Sequence, residues 1–200
     1  MLEVGCGSGG GAHFLAERAA EVVAIDTASA KLSEARSAFR RRNLQFALAE
    51  PDRLDQSDDA FDIVLVPELE RWITRGALIP ELKRVLRPGG LALFAVPTED
   101  APNGMEYTDL LEYLSTSFPQ VRTVGEIPFH GTIMADFEPD EIEPQLDCSL
   151  IEEDEPPAHY LALCSEEPVV CIGYSVVQVA PEAVDGTRAR LEGALEQARR

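Results

Sequence analysis

Met1-Leu-Glu-Val-Gly5-Cys-Gly7-Ser-Gly9-Gly-Gly11 joins an apolar strand end carrying one acid to a glycine-rich turn. Glycine lets backbone N–H groups come close to a ligand, and a helix that follows directly offers the positive end of its dipole to an anion. The spacing of Phe14, Leu15 and Ala19 predicts that helix. A strand, a glycine turn and a helix in this order point to a nucleotide-like ligand rather than to a turn with no ligand. Next comes Val22-Val-Ala-Ile-Asp26, an apolar run of strand length that ends in an acid 21 positions after Gly5. That spacing suits a carboxylate accepting hydrogen bonds from ribose hydroxyls at the end of a second strand. The alternative for Asp26 is a helix-start acid, with Thr27 or Ser29 capping a helix over Ala30–Arg42.

Two patterns overlap in the loop. Gly5-x-Gly7-x-x-Gly10 satisfies the dinucleotide fingerprint, whereas Glu3-x-Gly5-x-Gly7-x-Gly9 resembles the first motif of S-adenosylmethionine (SAM) methyltransferases. Downstream segments separate them. Phe61-Asp-Ile-Val-Leu-Val66 reads as a buried strand, and Leu82-Lys-Arg-Val-Leu-Arg-Pro88-Gly-Gly90-Leu-Ala-Leu-Phe-Ala-Val96 as a helix end, a Pro-Gly-Gly turn and a further strand. With these segments in order, Met1–Val96 resembles the class I SAM-dependent methyltransferases, particularly the bacterial group with small-molecule substrates.

The resemblance implies an α/β fold: a Rossmann-like, doubly wound, mostly parallel seven-stranded sheet with an antiparallel edge strand. It implies SAM as cofactor, with Glu3, Gly5, Cys6, Gly7 and Gly9 shaping the pocket for its methionine part and Asp26, followed by Thr27, holding the ribose. Ala49-Glu50-Pro51 stands where relatives carry an acid near the adenine amino group, which makes Glu50 the candidate there, with Asp52 behind it. Val66 and the Pro67-Glu68-Leu69 segment after it would pass near the sulfonium. Relatives also carry one or two helices before the first strand. Their absence implies a shortened chain, a start placed late, or a more open cofactor site.

Composition bounds the rest. Two hundred residues with a 45% hydrophobic fraction suit one α/β domain, and no apolar run approaches the length of a membrane-spanning helix. The glycine loop arrives too soon for a signal peptide, so a cytoplasmic location is expected. Cys6, Cys148, Cys164 and Cys171 lack the short paired spacing of a zinc site, so no metal is expected and reduced thiols fit the same compartment. The net charge is −19, and Glu138–Glu167 holds eleven acids with no Lys or Arg. Such a surface repels phosphate backbones and anionic lipid, so neither nucleic acid nor membrane is an expected partner. A neutral or cationic small molecule is the expected substrate.

Residues 1–166 are expected to form the SAM-binding domain. Within it, Tyr107–Ser117 reads as a helix, Phe118–Ile127 as a strand, 128–158 as an acidic, Pro-rich insertion and His159–Ser165 as the antiparallel partner strand. Residues 167–184 read as an extended segment or linker, and 185–200 as a helix for self-association, for a partner, or for docking on its own domain. Methyl transfer to oxygen profits from a general base, and of the three histidines His130 is placed best, at the entrance to the insertion. The order of segments over Tyr107–Ser165 is similar to methyltransferases acting on sugars and glycan precursors, which makes those the expected acceptors. A catalytically silent SAM-binding or interaction module, and less so an NAD-dependent oxidoreductase, stand as alternatives.

Overall fold

The computed structural model describes residues 1–51, 53–74, 76–127 and 156–170. Among them, seven strands form one sheet in the order β3-β2-β1-β4-β5-β7-β6. The strands are β1 (Leu2–Val4), β2 (Val22–Asp26), β3 (Leu44–Leu48), β4 (Phe61–Val66), β5 (Leu86–Pro97), β6 (Gln120–Glu126) and β7 (His159–Ser165). Pairing is parallel from β3 through β5, and β7 runs antiparallel between β5 and β6 at one side of the sheet. The helices are α1 (Gly10–Leu15), α2 (Ser29–Ala38), α3 (Leu78–Val85) and α4 (Tyr107–Ser115), and Met1–Val169 belongs to one compact unit. This is the doubly wound, Rossmann-like α/β arrangement. Its connections leave β1 in opposite directions, toward β2 and toward β4, and a crevice opens beyond the carboxyl ends of the strands at such a reversal.

Strand alternation divides the core. Val22 and Ala24 pack with Ala12, Ala16 and Leu32, while Ile25 belongs to the larger cluster of Leu2, Val4, Val64, Val66, Phe94 and the buried leucines of α3 and α4. Leu78, Ile79, Leu82 and Val85 bury one stripe of α3, with Lys83 and Arg84 in its last turn, where cations suit the helix dipole. Arg84 then ties that helix to the neighbouring loop by bonds to Glu81, Asp58 and the Leu54 and Gln56 carbonyls.

Several boundaries differ from the sequence reading. The helix expected over Ala30–Arg42 is α2, Ser29–Ala38, because Phe39 turns extended and stacks on His13 with ring centroids 4.6 Å apart. Neither Thr27 nor Ser29 caps it; the N-cap is Ala28. In α1 the buried residues are Ala12 and, just beyond it, Ala16, whereas Phe14 is 57% exposed. The Pro88-Gly89-Gly90 turn does not separate α3 from β5. It lies inside β5 as a bulge, since Phe61 pairs with Leu86 and Ile63 with Leu91, and Gly89 supplies the positive φ of +73°. β6 starts at Gln120, because Phe118 is buried against Phe94 instead of continuing the strand. His130, the bulk of the 128–158 insertion, the segment from residue 171 and the 185–200 helix lie outside the described residues. Among the described residues, no helix is long and apolar enough to cross a membrane, and no group of three or more His, Cys, Asp or Glu could hold a metal ion.

Candidate functional site

β1 and β2 end side by side, and the glycine loop turns back over them. The Gly5 and Cys6 N–H groups both donate to the Ile25 carbonyl, at 2.8 and 3.0 Å, and the Gly9 N–H donates to the Cys6 carbonyl at 2.9 Å. The Gly7 N–H donates to Asp26 Oδ2 at 2.9 Å. These donors are therefore spent on β2 and within the loop, and do not face a ligand. The loop serves by its contour: Gly5, Gly7 and Gly9 all adopt positive φ, and a Cβ on Gly7 would meet no atom within 4 Å. A ligand can therefore lie directly on the backbone there.

Glu3 sits beneath that surface. It is 3% exposed, and its Oε2 has no hydrogen-bond partner among the described residues. Its Oε1 occupies the space beside Gly11, where a Cβ would come within 2.6 Å, so the last glycine of the loop makes room for the carboxyl group. Burial pushes the Glu3 pKa up to about 7 from 4.5. A buried carboxylate with an unpartnered oxygen is costly alone and well suited to a cationic ligand.

A pH test follows from Glu3. Below pH 4.5 the group is protonated in folded and unfolded chains alike; between 4.5 and about 7 only the folded chain keeps the proton, so stability falls as pH rises and the loss is complete above 7. Glu3→Gln should abolish that slope and stabilise the ligand-free protein by roughly 3 kcal/mol at pH 8. Urea unfolding at pH 5 and pH 8 measures it; an unchanged slope in the variant refutes the assignment.

Asp26 is 1% exposed and holds the site together. Its Oδ1 accepts the Ala28 N–H at 2.8 Å while Oδ2 accepts that of Gly7, so one carboxylate fastens the loop to the start of α2. Each oxygen keeps a lone pair for a further donor such as a ribose hydroxyl. Thr27, half-buried, stands beside it. The Ala49 N–H donates to the Asp26 carbonyl at 3.3 Å, which brings the end of β3 alongside. Glu50 follows, exposed and bridged to Arg53.

The β4 side contributes differently. The Val66 side chain is fully buried in the core, so only its backbone is available to a ligand. Glu68 pairs with Arg71 in the 3-10 turn Leu69–Arg71, as expected of a solvated charge. Trp72, which the sequence reading passed over, is 4% exposed and lies against the loop, its Nε1 3.2 Å from where a Gly5 Cβ would stand. A lone tryptophan six residues past a strand end was the available signal. Cys6 is chemically quiet: burial first, then the charges of Glu3 and Asp26, push its thiol up to about 12.

Two cavities lie elsewhere. One of about 510 Å³ opens at the opposite, amino edge of the sheet beside Met1, Leu15, Phe61 and Ile63, and one of about 110 Å³ lies at the β5 bulge. Neither touches Glu3, Asp26 or the glycine loop. The carboxyl-edge site is selected by its chemistry: a ligand carrying a diol and a positive charge meets Asp26 at one end and the orphaned Glu3 oxygen at the other. SAM has both features, so the residues present fit it.

A doubly wound sheet with this loop defines the class of nucleotide-cofactor α/β proteins, and comparison with known proteins narrows it. The methyltransferase-domain family profile matches residues 2–94. A Mycolicibacterium smegmatis protein described as an S-adenosylmethionine-dependent methyltransferase is 31% identical over 155 residues, covering 69% of this chain and 58% of its own. The fatty-acid O-methyltransferase of the same organism is 37% identical over 107 residues, covering 51% of this chain and 39% of its own. The chain thus spans about half the length of the curated relatives it matches. A SAM-dependent methyltransferase structure from Mesorhizobium loti superposes with a TM-score of 0.56 at 16% identity, over 81% of this chain and 88% of that one, a likeness of fold. The family match and these relatives support the class I SAM-dependent methyltransferase family for this chain.

Proposed function

We propose that this chain binds SAM across Gly5–Gly11 and Asp26 and transfers its methyl group to a small acceptor bearing oxygen on an apolar body. The observation that carries the proposal is the buried Glu3 carboxyl, with one oxygen unpartnered, under an open glycine surface and beside Asp26. In this reading Asp26 takes the ribose, Glu50 the adenine side, and Glu3 the positively charged amino-acid portion. When bound, SAM supplies an electrophilic methyl group on a cationic sulfur. The protein's task is to align an acceptor with it and to exclude water.

Apolar acceptors are favoured by the aromatic pair Tyr107–Tyr160, with ring centroids 5.5 Å apart, and by half-exposed Ile127, near the carboxyl ends of β5 and β6 and the amino end of the antiparallel β7. The name of the fatty-acid O-methyltransferase relative points the same way. Sugar precursors, expected from the C-terminal half of the sequence, form the second arm of an acceptor screen. A cytoplasmic location agrees with the free, buried thiols of Cys6 and Cys164.

Calorimetry tests the cofactor reading. SAM should bind one to one, and its affinity should rise several-fold between pH 6 and pH 8, because a cation beside Glu3 displaces the proton that burial retains. In Glu3→Gln that pH dependence should vanish. Saturable NAD binding with silence toward SAM would reverse the proposal.

A further inference from the structure

The acceptor side of the crevice carries an oriented histidine. β7 begins at His159, which pairs with Pro97 at the carboxyl end of β5 and with Glu126 at the carboxyl end of β6. The antiparallel run of β7 thus brings its first residue to the edge where the parallel strands finish. His159 Nδ1 lies 3.1 Å from Glu126 Oε2. In a neutral imidazole this contact places the proton on Nδ1 and leaves Nε2 as an acceptor, the arrangement of a base held by a carboxylate. The His159 side chain is 50% exposed, so a substrate can reach it.

A second carboxylate feels the charge of the same histidine. Glu70, in the 3-10 turn after β4, has an Oε2 without a hydrogen-bond partner among the described residues. Burial raises its pKa foremost, and the charges of Arg71 and His159 act against that rise. An imidazolium formed at His159 would therefore be favoured by Glu126 in direct contact and by the more remote charge of Glu70. Of the other histidines, His13 is committed elsewhere: its Nδ1 accepts the Arg41 Nε–H at 3.1 Å and its ring stacks on Phe39. Tyr160, next in β7, stands against Tyr107 at the same end of the sheet.

We infer that His159, oriented by Glu126, is the general base for a hydroxyl acceptor; the inference rests on the methyl-transfer reading above. In the step it serves, the acceptor oxygen bonds to the methyl carbon as the carbon–sulfur bond breaks. The electron pair of that bond passes to sulfur, which becomes a neutral thioether, and the hydroxyl proton passes to His159 Nε2. Glu126 is a positioning residue. An acceptor that arrives ionised, such as a fatty acid carboxylate, has no proton to give and does not need the base.

That difference supplies the test. Methyl transfer from labelled SAM by the full chain is measured at pH 7.5 with 4-pentylphenol, which carries its proton at this pH, and with decanoate, which does not. His159→Gln should lower kcat toward the phenol about 100-fold or more and leave decanoate within about threefold. Glu126→Gln should lower the phenol rate about tenfold and spare decanoate. SAM affinity and melting temperature should be unchanged in both variants. Equal losses on both acceptors, an undiminished phenol rate, or methylation of decanoate alone by the wild type overturns the assignment and leaves the methyltransferase reading standing. Failure of the wild type to bind SAM overturns both.

Discussion

Asp26→Asn should weaken SAM binding by about 10- to 100-fold and lower the melting temperature by roughly 5–15 °C. The two effects share one cause. Both carboxylate oxygens accept backbone N–H groups, from Ala28 at 2.8 Å and Gly7 at 2.9 Å. Asparagine keeps one acceptor and sets its amide N–H against the other donor, at a site that is 1% exposed. Losing a charge-assisted bond and leaving a buried donor unpaired costs about 2–5 kcal/mol, and in a domain of this size each kcal/mol is worth roughly 2–4 °C. Losing an additional acceptor for a ribose hydroxyl accounts for the binding term. Calorimetry with adenosine separates the causes: it carries the ribose without the amino-acid portion and should lose about the same factor as SAM. Unaltered affinity for both would remove Asp26 from the site.

Gly9→Val should abolish the stable fold at 37 °C, or lower the melting temperature by more than about 10 °C. Gly9 precedes α1 at φ +86°, a conformation that costs an L-residue about 1–2 kcal/mol and a β-branched one more. Any Cβ there would come within 2.8 Å of the Ala35 Cβ in α2 and of the Phe46 ring in β3. Ala35 is wholly buried, so relief must come from shifting α2 against the sheet, at a further cost of about 1–3 kcal/mol or more. The sum takes a large part of the stability of an ordinary domain. Gly7→Ala is the control: its φ is +54° with open space around it, so the variant should fold while losing SAM affinity. Circular dichroism melts followed by SAM titration distinguish the two. A Gly9→Val protein that melts with the wild type would refute the packing argument.

These two glycines show where sequence reading stops. The motif marks both as loop glycines, yet one is needed for a neighbour 26 residues away and the other for an empty surface. Only the approach of α2 and β3 to the loop separates them. Trp72 and Gly11 were missed for the same reason, since their roles lie in touching Gly5 and in admitting Glu3. The bulge at Pro88–Gly90 was read as a turn because proline and glycine punctuate both features alike, and local chemistry does not reveal which strand pairs across them.

The strands, the glycine turn and the places of Glu3 and Asp26 at strand ends were legible in the chain, because apolar runs, glycines and acids at fixed spacing are local signals read along the backbone; the doubly wound order of the sheet came only through the family resemblance. Folding alone established that Asp26 is an internal clasp, that Glu3 is buried with an oxygen unmatched among the described residues, and that His159 stands beside Glu126. Burial and proximity arise from strands and turns far apart in sequence, and the energies that tune these groups exist only once water has been excluded around them.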